Sequence, residues 1–292
     1  MARDPAADPH FLHGTRTLEA LVSPPVDRPR ALCWLPDEDV LLVAARDGTL
    51  HHVEPAYGTR TLLTAAPDAA HIAVARGRLA VLTHEGLLQV WALAEARLLW
   101  ERPTELIAGL HVRWWSGGIA VVGDDGLDRR VLVYDDLGER RTRARVPART
   151  ALGADADGNL LLARSTEAGL TLRPFGEALP TGASTVHQLR FSGRAAVIGV
   201  ATGGVTVWHG VGEPPVNIKL FEVVNAALSP DEAVVAMGTR TGGVAIGPAR
   251  LGGQRVNPMR VEGHEGPVLA LAFSPRGRWL ASAAARCWVW SY

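Results

Sequence analysis

Val268-Leu-Ala-Leu-Ala-Phe-Ser274, a Pro275-Arg-Gly277 turn, Trp279-Leu-Ala-Ser-Ala-Ala284 and Cys287-Trp-Val-Trp290 read as three successive β-strands. The third has counterparts upstream at Leu50–Val53, Leu88–Trp91, Val131–Tyr134, Leu170–Arg173, Val205–Trp208 and Val244–Gly247. Counting from Val53 to Trp290, successive strands end 38, 43, 39, 35, 39 and 43 residues apart. A period near 40 residues is that of a four-stranded propeller blade. The expectation is an all-β chain: a seven-bladed β-propeller of four-stranded antiparallel blades, forming one domain over residues 1–292. No heptads, amphipathic helices or low-complexity tracts interrupt the pattern.

The first module shows all four strands, Ala31–Leu35, Val40–Ala45, Leu50–Val53 and Arg60–Thr64, with Asp47-Gly48 as a tight hairpin turn. Glu85-Gly86, Asp157-Gly158 and Gly203-Gly204 repeat that turn chemistry. The last module has only three strands. Its fourth is expected from Thr15–Val22, leaving 1–14 as an N-terminal tail, because a ring joined by its two ends leaves no long unpaired strand edge.

Hydrophobic residues make up 47% of the chain and charged residues 21%, which excludes wholesale disorder. Formal net charge is zero, so any attraction to nucleic acid or an anionic membrane has to come from a local patch. Lys219 is the only lysine among 30 basic residues, a skew that points to a GC-rich bacterial genome. Met1-Ala-Arg-Asp-Pro5 carries charge and proline where a secretory leader needs an apolar run, so the cytoplasm is expected. Cys33 and Cys287 fall in strands, outside any Cys-x-x-Cys pair, and read as reduced packing residues.

Gly263-His264-Glu-Gly-Pro-Val268, running on to Phe273-Ser-Pro275 and Trp290, resembles a blade of the WD-repeat (WD40-type) β-propeller family. The resemblance implies a hydrogen-bonded set in which His264, Ser282 and Trp290 take three of four structural places. The fourth, an Asp in the following turn, is missing: Ala284-Ala-Arg-Cys287 stands there, in a segment about two residues short. Elsewhere the pattern is degenerate, with Trp91, Tyr134 and Trp208 at the third-strand aromatic position and Ser229-Pro230 matching Ser274-Pro275. Blades without the Gly-His pair are expected to be held by apolar packing against their neighbours.

Catalytic motifs are few. Lys219 has no glycine cradle for a phosphate loop, and neither a Gly-x-Ser-x-Gly elbow nor a His-Glu-x-x-His pair occurs. His71, His111 and His187 fall near first strands, but aligning the modules sets His187 level with Leu110 rather than His111, so a shared metal is not expected. His51-His52 alternate across one strand and do not chelate. Asp155-Ala-Asp-Gly-Asn159 lacks the spaced acids of a calcium loop and reads as a turn. No cofactor is expected. Arg140, Arg141, Arg143, Arg145 and Arg149 form a basic outer edge without interleaved aromatics, which argues against nucleic acid. Arg113 and Arg190 align near the ends of first strands as channel candidates, each needing an anion or carbonyl partner. Trp100 and Trp288 are the candidates for exposed aromatic anchors; Trp34, Trp114, Trp115, Trp279 and Trp290 read as packing between blades.

In the WD-repeat arrangement, turns between second and third strands share one face with the loops entering first strands. On this chain that gathers Arg46, Asp47, Glu85, Asp124, Asp125, Asp128, Arg240, Arg286, His264 and Glu265. A non-enzymatic scaffold is expected, docking one or more partner proteins there, with the acidic sector from Glu85 to Asp128 setting orientation. The alternative is a propeller enzyme, a lactonase-like hydrolase or lyase, with its site in the central channel.

Overall fold

Strands form where apolar runs and turn residues place them, and their pairing follows chain order. The computed structural model describes residues 19–22, 24–146, 150–154, 160–166, 169–173, 177–179, 186–192, 196–201, 203–209, 215–250 and 258–291. The first strand is β1 (Glu19–Val22). Sheet I follows with β2 (Pro29–Trp34), β3 (Leu41–Ala45), β4 (Thr49–Glu54) and β5 (Gly58–Thr64), and sheet II with β6 (Ala69–Ala75), β7 (Arg78–Thr83), β8 (Leu87–Ala92) and β9 (Arg97–Pro103). Sheet III holds β10 (Ala108–Trp115), β11 (Gly118–Asp124), β12 (Arg129–Tyr134) and β13 (Arg140–Val146). Sheet IV holds β14 (Thr150–Ala154), β15 (Leu160–Thr166), β16 (Gly169–Arg173) and β17 (Glu177–Leu179). Sheet V holds β18 (Val186–Ser192), β19 (Ala196–Ala201), β20 (Gly204–Trp208) and β21 (Val216–Lys219). Sheet VI holds β22 (Val223–Leu228), β23 (Val234–Thr239), β24 (Gly243–Pro248) and β25 (Met259–Glu262). Sheet VII joins β26 (Ala270–Phe273), β27 (Trp279–Ala283) and β28 (Cys287–Ser291) to β1.

All strand pairs are antiparallel, and β1 pairs with β28 through Glu19–Ser291, Ala20–Trp290 and Val22–Val289. Residues 15–18 of the expected closing strand lie outside the described residues. No helix among the described residues is long and apolar enough to cross a membrane.

Burial changes across each sheet as its position demands. Burial is greatest in the middle of a sheet, between its neighbours: β3, β23 and β24 are buried at every residue. Outer strands meet water: in β13 only Val146 is buried, and the exposed arginines blunt that edge against pairing with another chain. First strands alternate buried and half-buried residues, as in β10 and β26. One residue is skipped in the pairing of five of them, at Arg30, Ala70, Leu110, His187 and Val224, a bulge that puts these strands in a common register.

The cores lie between sheets. Leu42, Leu50, Ile72 and Leu79 join sheets I and II; Leu82, Val90, Trp114 and Ile119 join II and III; Ile198, Val207, Val235 and Met237 join V and VI. Trp34, Leu41, Val53, Ala281, Cys287 and Val289 make the same kind of core between the first sheet and the last. Tryptophan adds a polar tie at two junctions: Trp114 Nε1 donates to the Ala73 carbonyl and Trp34 Nε1 to the Ala272 carbonyl, each at 3.0 Å. Trp34 and Trp114 stand at the same distance after their bulges, so one device serves both places. Cys33 and Cys287 are free thiols, and burial pushes Cys287 up to about 12.

Candidate interaction face

Antiparallel order places the start of each first strand, the end of the second, the start of the third and the end of the fourth along one edge of the sheet. Backbone hydrogen bonds knit that edge together. The N–H groups of Arg46, His84 and Arg240, just past the second strands, donate to the carbonyls of Arg28, Asp68 and Glu222. Those three acceptors share left-handed φ values of 47°, 53° and 62°, which turn each carbonyl toward its donor. Bonds to the next sheet run from Asp68 N–H to Arg46 O, from Gly109 N–H to His84 O and from Val268 N–H to Thr239 O. The hairpin at Gly86, with φ of +78°, sits so close to the end of its own sheet that a Cβ there would lie 2.1 Å from the Leu106 carbonyl oxygen. Turns and loops are thereby tied together at the junctions of sheets I and II, II and III, and VI and VII.

On this edge Arg46, Asp47, Glu85, Arg240, Glu265 and Arg286 are exposed, and Asp124, Asp125 and Asp128 are half-buried. Asp47 accepts from the Thr49 N–H at 2.8 Å, and that bond lowers its pKa. Arg46 approaches Asp68 at 3.5 Å. The three aspartates are paired. Arg129 holds Asp124 with two bonds of 2.8 and 3.0 Å, and Arg130 reaches Asp125 at 2.6 Å and Asp128 at 3.2 Å. From the outer strand, Arg143 bridges Asp125 at 3.1 Å and Glu105 at 2.8 Å, Arg140 meets Glu105 at 3.1 Å, and Arg145 meets Asp128 at 2.8 Å. Arg130 is the main reason the Asp125 carboxyl stays below the ordinary carboxylate range.

This pairing revises the expectation of an acidic sector that sets orientation by its own field. Opposite charges a few ångströms apart largely cancel at longer range, and salt screens what is left within a Debye length of about 8 Å, so these three aspartates add little long-range negative field. The same pairs take up Arg140, Arg143 and Arg145 of the expected basic edge, and Arg141 pairs with Asp135 and Glu139, while Arg149 and Asp155–Asn159 lie outside the described residues.

Sequence reasoning missed the exposed apolar residues on this edge. Ile107 is 69% exposed, Leu127 92%, Phe221 81% and Leu269 43%. Ile107 lies against the turn that carries Leu127: its N–H donates to the Asp124 carbonyl at 2.8 Å, and its Cδ1 lies against Gly126. Phe221 and Leu269 lie on the loops entering sheets VI and VII, and Leu269 lines a cavity of about 210 Å³ with Pro29, Pro267, Ala284, Arg28 and Glu265. A leucine inside the turn Asp124-Asp-Gly-Leu-Asp128 was the available signal, since five turn residues offer it nothing to pack on. Trp100 and Trp288 are not the exposed anchors expected. Trp100 is half-buried over Gly138 and donates to the Asp136 carbonyl at 3.1 Å; half-buried Trp288 lies 5.9 Å from the Trp290 ring.

In the last sheet, His264 Nε2 lies 2.6 Å from Ser282 Oγ, which accepts from Trp290 Nε1 at 2.7 Å. Trp290 packs so closely on Gly263 that a Cβ there would be 2.4 Å from the indole. His264 Nδ1 is buried without a hydrogen-bond partner among the described residues, at the side where the sequence lacks the turn acid. With no carboxylate to offset burial, the imidazole is pushed down to about 4 and is neutral at physiological pH.

His71 and His111 share a register position and their rings meet edge to face at 5.3 Å, whereas His187 occupies a bulge, level with Leu110. No group of three or more His, Cys, Asp or Glu among the described residues is arranged to hold a metal. Arg113 borders a cavity lined by residues of β2, β6, β10, β22 and β26; the Arg190 backbone pairs with Ile198, and its side chain lies outside the described residues.

Antiparallel four-stranded sheets packed face to face and the His264–Ser282–Trp290 set define a repeat protein of a recognisable class. Residues 256–291 match the family model described as WD domain, G-beta repeat, so the WD40 assignment of the last module stands. No curated protein matches the chain.

Proposed function

We propose that the chain is a closed seven-bladed β-propeller, completed by β1, that acts as a non-enzymatic docking platform for one or more proteins of a cytoplasmic assembly. The packing of the last sheet on the first supports the ring. The platform reading is carried by the gathering of Ile107, Leu127, Phe221 and Leu269 on one face. Large apolar side chains left in water on a hydrogen-bonded, rigid surface are the usual anchors of a protein interface, and paired charges around them supply a polar rim. Arg46, Asp47, Glu85, Asp124, Asp125, Asp128, Arg240 and Arg286 belong to that rim. WD40 repeats generally mediate protein–protein contacts, which agrees with this use of the face.

The test is capture of partners from native lysate on the immobilised full chain, read by mass spectrometry. A double variant, Ile107→Glu with Leu127→Glu, is expected to lose the captured proteins. Tyr57→Glu with Leu137→Glu, exposed at the opposite edge, is expected to keep them. Equal capture by both variants, or loss only from the second, overturns the reading.

A further inference from the structure

Residues of the first strands β2, β6, β10, β22 and β26 line an open cavity of about 450 Å³, inside the range of about 300–1,000 Å³ typical of small-molecule sites. Arg113 reaches it from β10. Three residues after each bulge stand Cys33, Ala73, Arg113, Arg190 and Ala227. Ala272 belongs at the same level, because its carbonyl accepts from Trp34 as that of Ala73 accepts from Trp114. Among the described residues, then, one long cationic side chain stands at a level otherwise occupied by three alanines and a cysteine. The backbone places a second arginine, Arg190, at that level two sheets away.

The Arg113 side chain makes no hydrogen bond or ion pair among the described residues. Among the described residues, the other titratable groups lining the cavity are Cys33 and His71, and none of the lining residues is a carboxylate. Desolvation lowers the Arg113 pKa, with Cys33 acting in the opposite direction, yet a guanidinium keeps its proton throughout the working range. A desolvated charge without a partner is costly, and small neighbours leave room for one to enter. A planar guanidinium fork matches an oxyanion in geometry as well as in charge.

We propose that this cavity binds a small organic anion whose carboxylate or phosphate group pairs with Arg113. This site is independent of the docking face, and its occupant is bounded by the cavity volume.

The test titrates the purified full chain with benzoate and, separately, with inorganic phosphate, by calorimetry at constant chloride. Saturable binding of at least one probe is expected, weakened about tenfold or more in Arg113→Gln and partly kept in Arg113→Lys. Benzoate alone assigns a carboxylate ligand, phosphate alone a phosphorylated one, and both a general oxyanion site. Thermal melting without anion separates binding from structure: Arg113→Gln is expected to melt at or above the wild type, because it removes an uncompensated charge. Binding of neither probe overturns the proposal. So does equal binding by Arg113→Gln, or a variant that melts well below the wild type, which would make Arg113 a structural residue.

Discussion

Ser282 carries two of the hydrogen bonds that order the last sheet, one with His264 and one from Trp290. Removing its hydroxyl leaves a buried indole N–H without an acceptor, a loss of about 1–3 kcal/mol by the usual cost of such groups. Ser282→Ala is expected to lower the chemical-denaturation midpoint accordingly, and Ser282→Thr to recover most of it. The histidines respond to pH in opposite senses. His209 lies 3.5 Å from the buried Glu232, which also pairs with Arg250 at 2.9 Å. The Glu232 carboxylate beside it raises the His209 pKa above the ordinary 6.5, so the folded state holds that proton more tightly than the unfolded chain. Its contribution is full below about pH 6.5 and is lost as pH rises through the raised value. His264, depressed to about 4, works the other way: its contribution is present above 6.5 and is lost as pH falls through 4. Melting curves of His209→Gln and wild type should differ most near pH 5–6 and converge on the alkaline side. A constant difference at all pH values would contradict the assignment.

At the scale of one hairpin, the turn at Gly86 shows why the module repeats its Asp-Gly or Glu-Gly chemistry. Gly86 N–H donates to the Thr83 carbonyl, its own carbonyl accepts from Thr104 N–H at 2.9 Å, and φ is +78°. A side chain there meets both a left-handed backbone and the Leu106 carbonyl. Gly86→Ala is expected to destabilise by about 2 kcal/mol or more, since strain at such φ and a backbone clash add. Equilibrium unfolding in urea checks this, with Gly77→Ala, which has open space at a similarly positive φ of +68°, as the control for backbone strain alone. The hairpin glycines were legible in the sequence because turn chemistry is local. The burial of Trp100 was not, because it depends on Gly138 of the next sheet.

Over the whole molecule, β1 covers the outer edge of β28 and so unites the two ends of the described chain. Deleting residues 1–22 uncovers that edge along Cys287–Ser291. The truncated chain is expected to melt lower and to self-associate, since an unpaired strand edge recruits another chain. Light scattering at graded concentrations measures it, and a monomeric truncation with unchanged melting would contradict the role given to β1.

The repeat period, the strand positions and the missing acid beside His264 were all readable from the sequence by itself. Apolar runs, turn dipeptides and spacings are properties of neighbouring residues. Tertiary structure alone decided that Asp124, Asp125 and Asp128 are neutralised by arginines of two other strands. It also decided that Ile107 lies against the turn carrying Leu127, and that Arg113, legible as a channel candidate, finds no carboxylate partner among the described residues. Each of these rests on register across sheets and on which faces pack together, quantities to which no single stretch of sequence is bound.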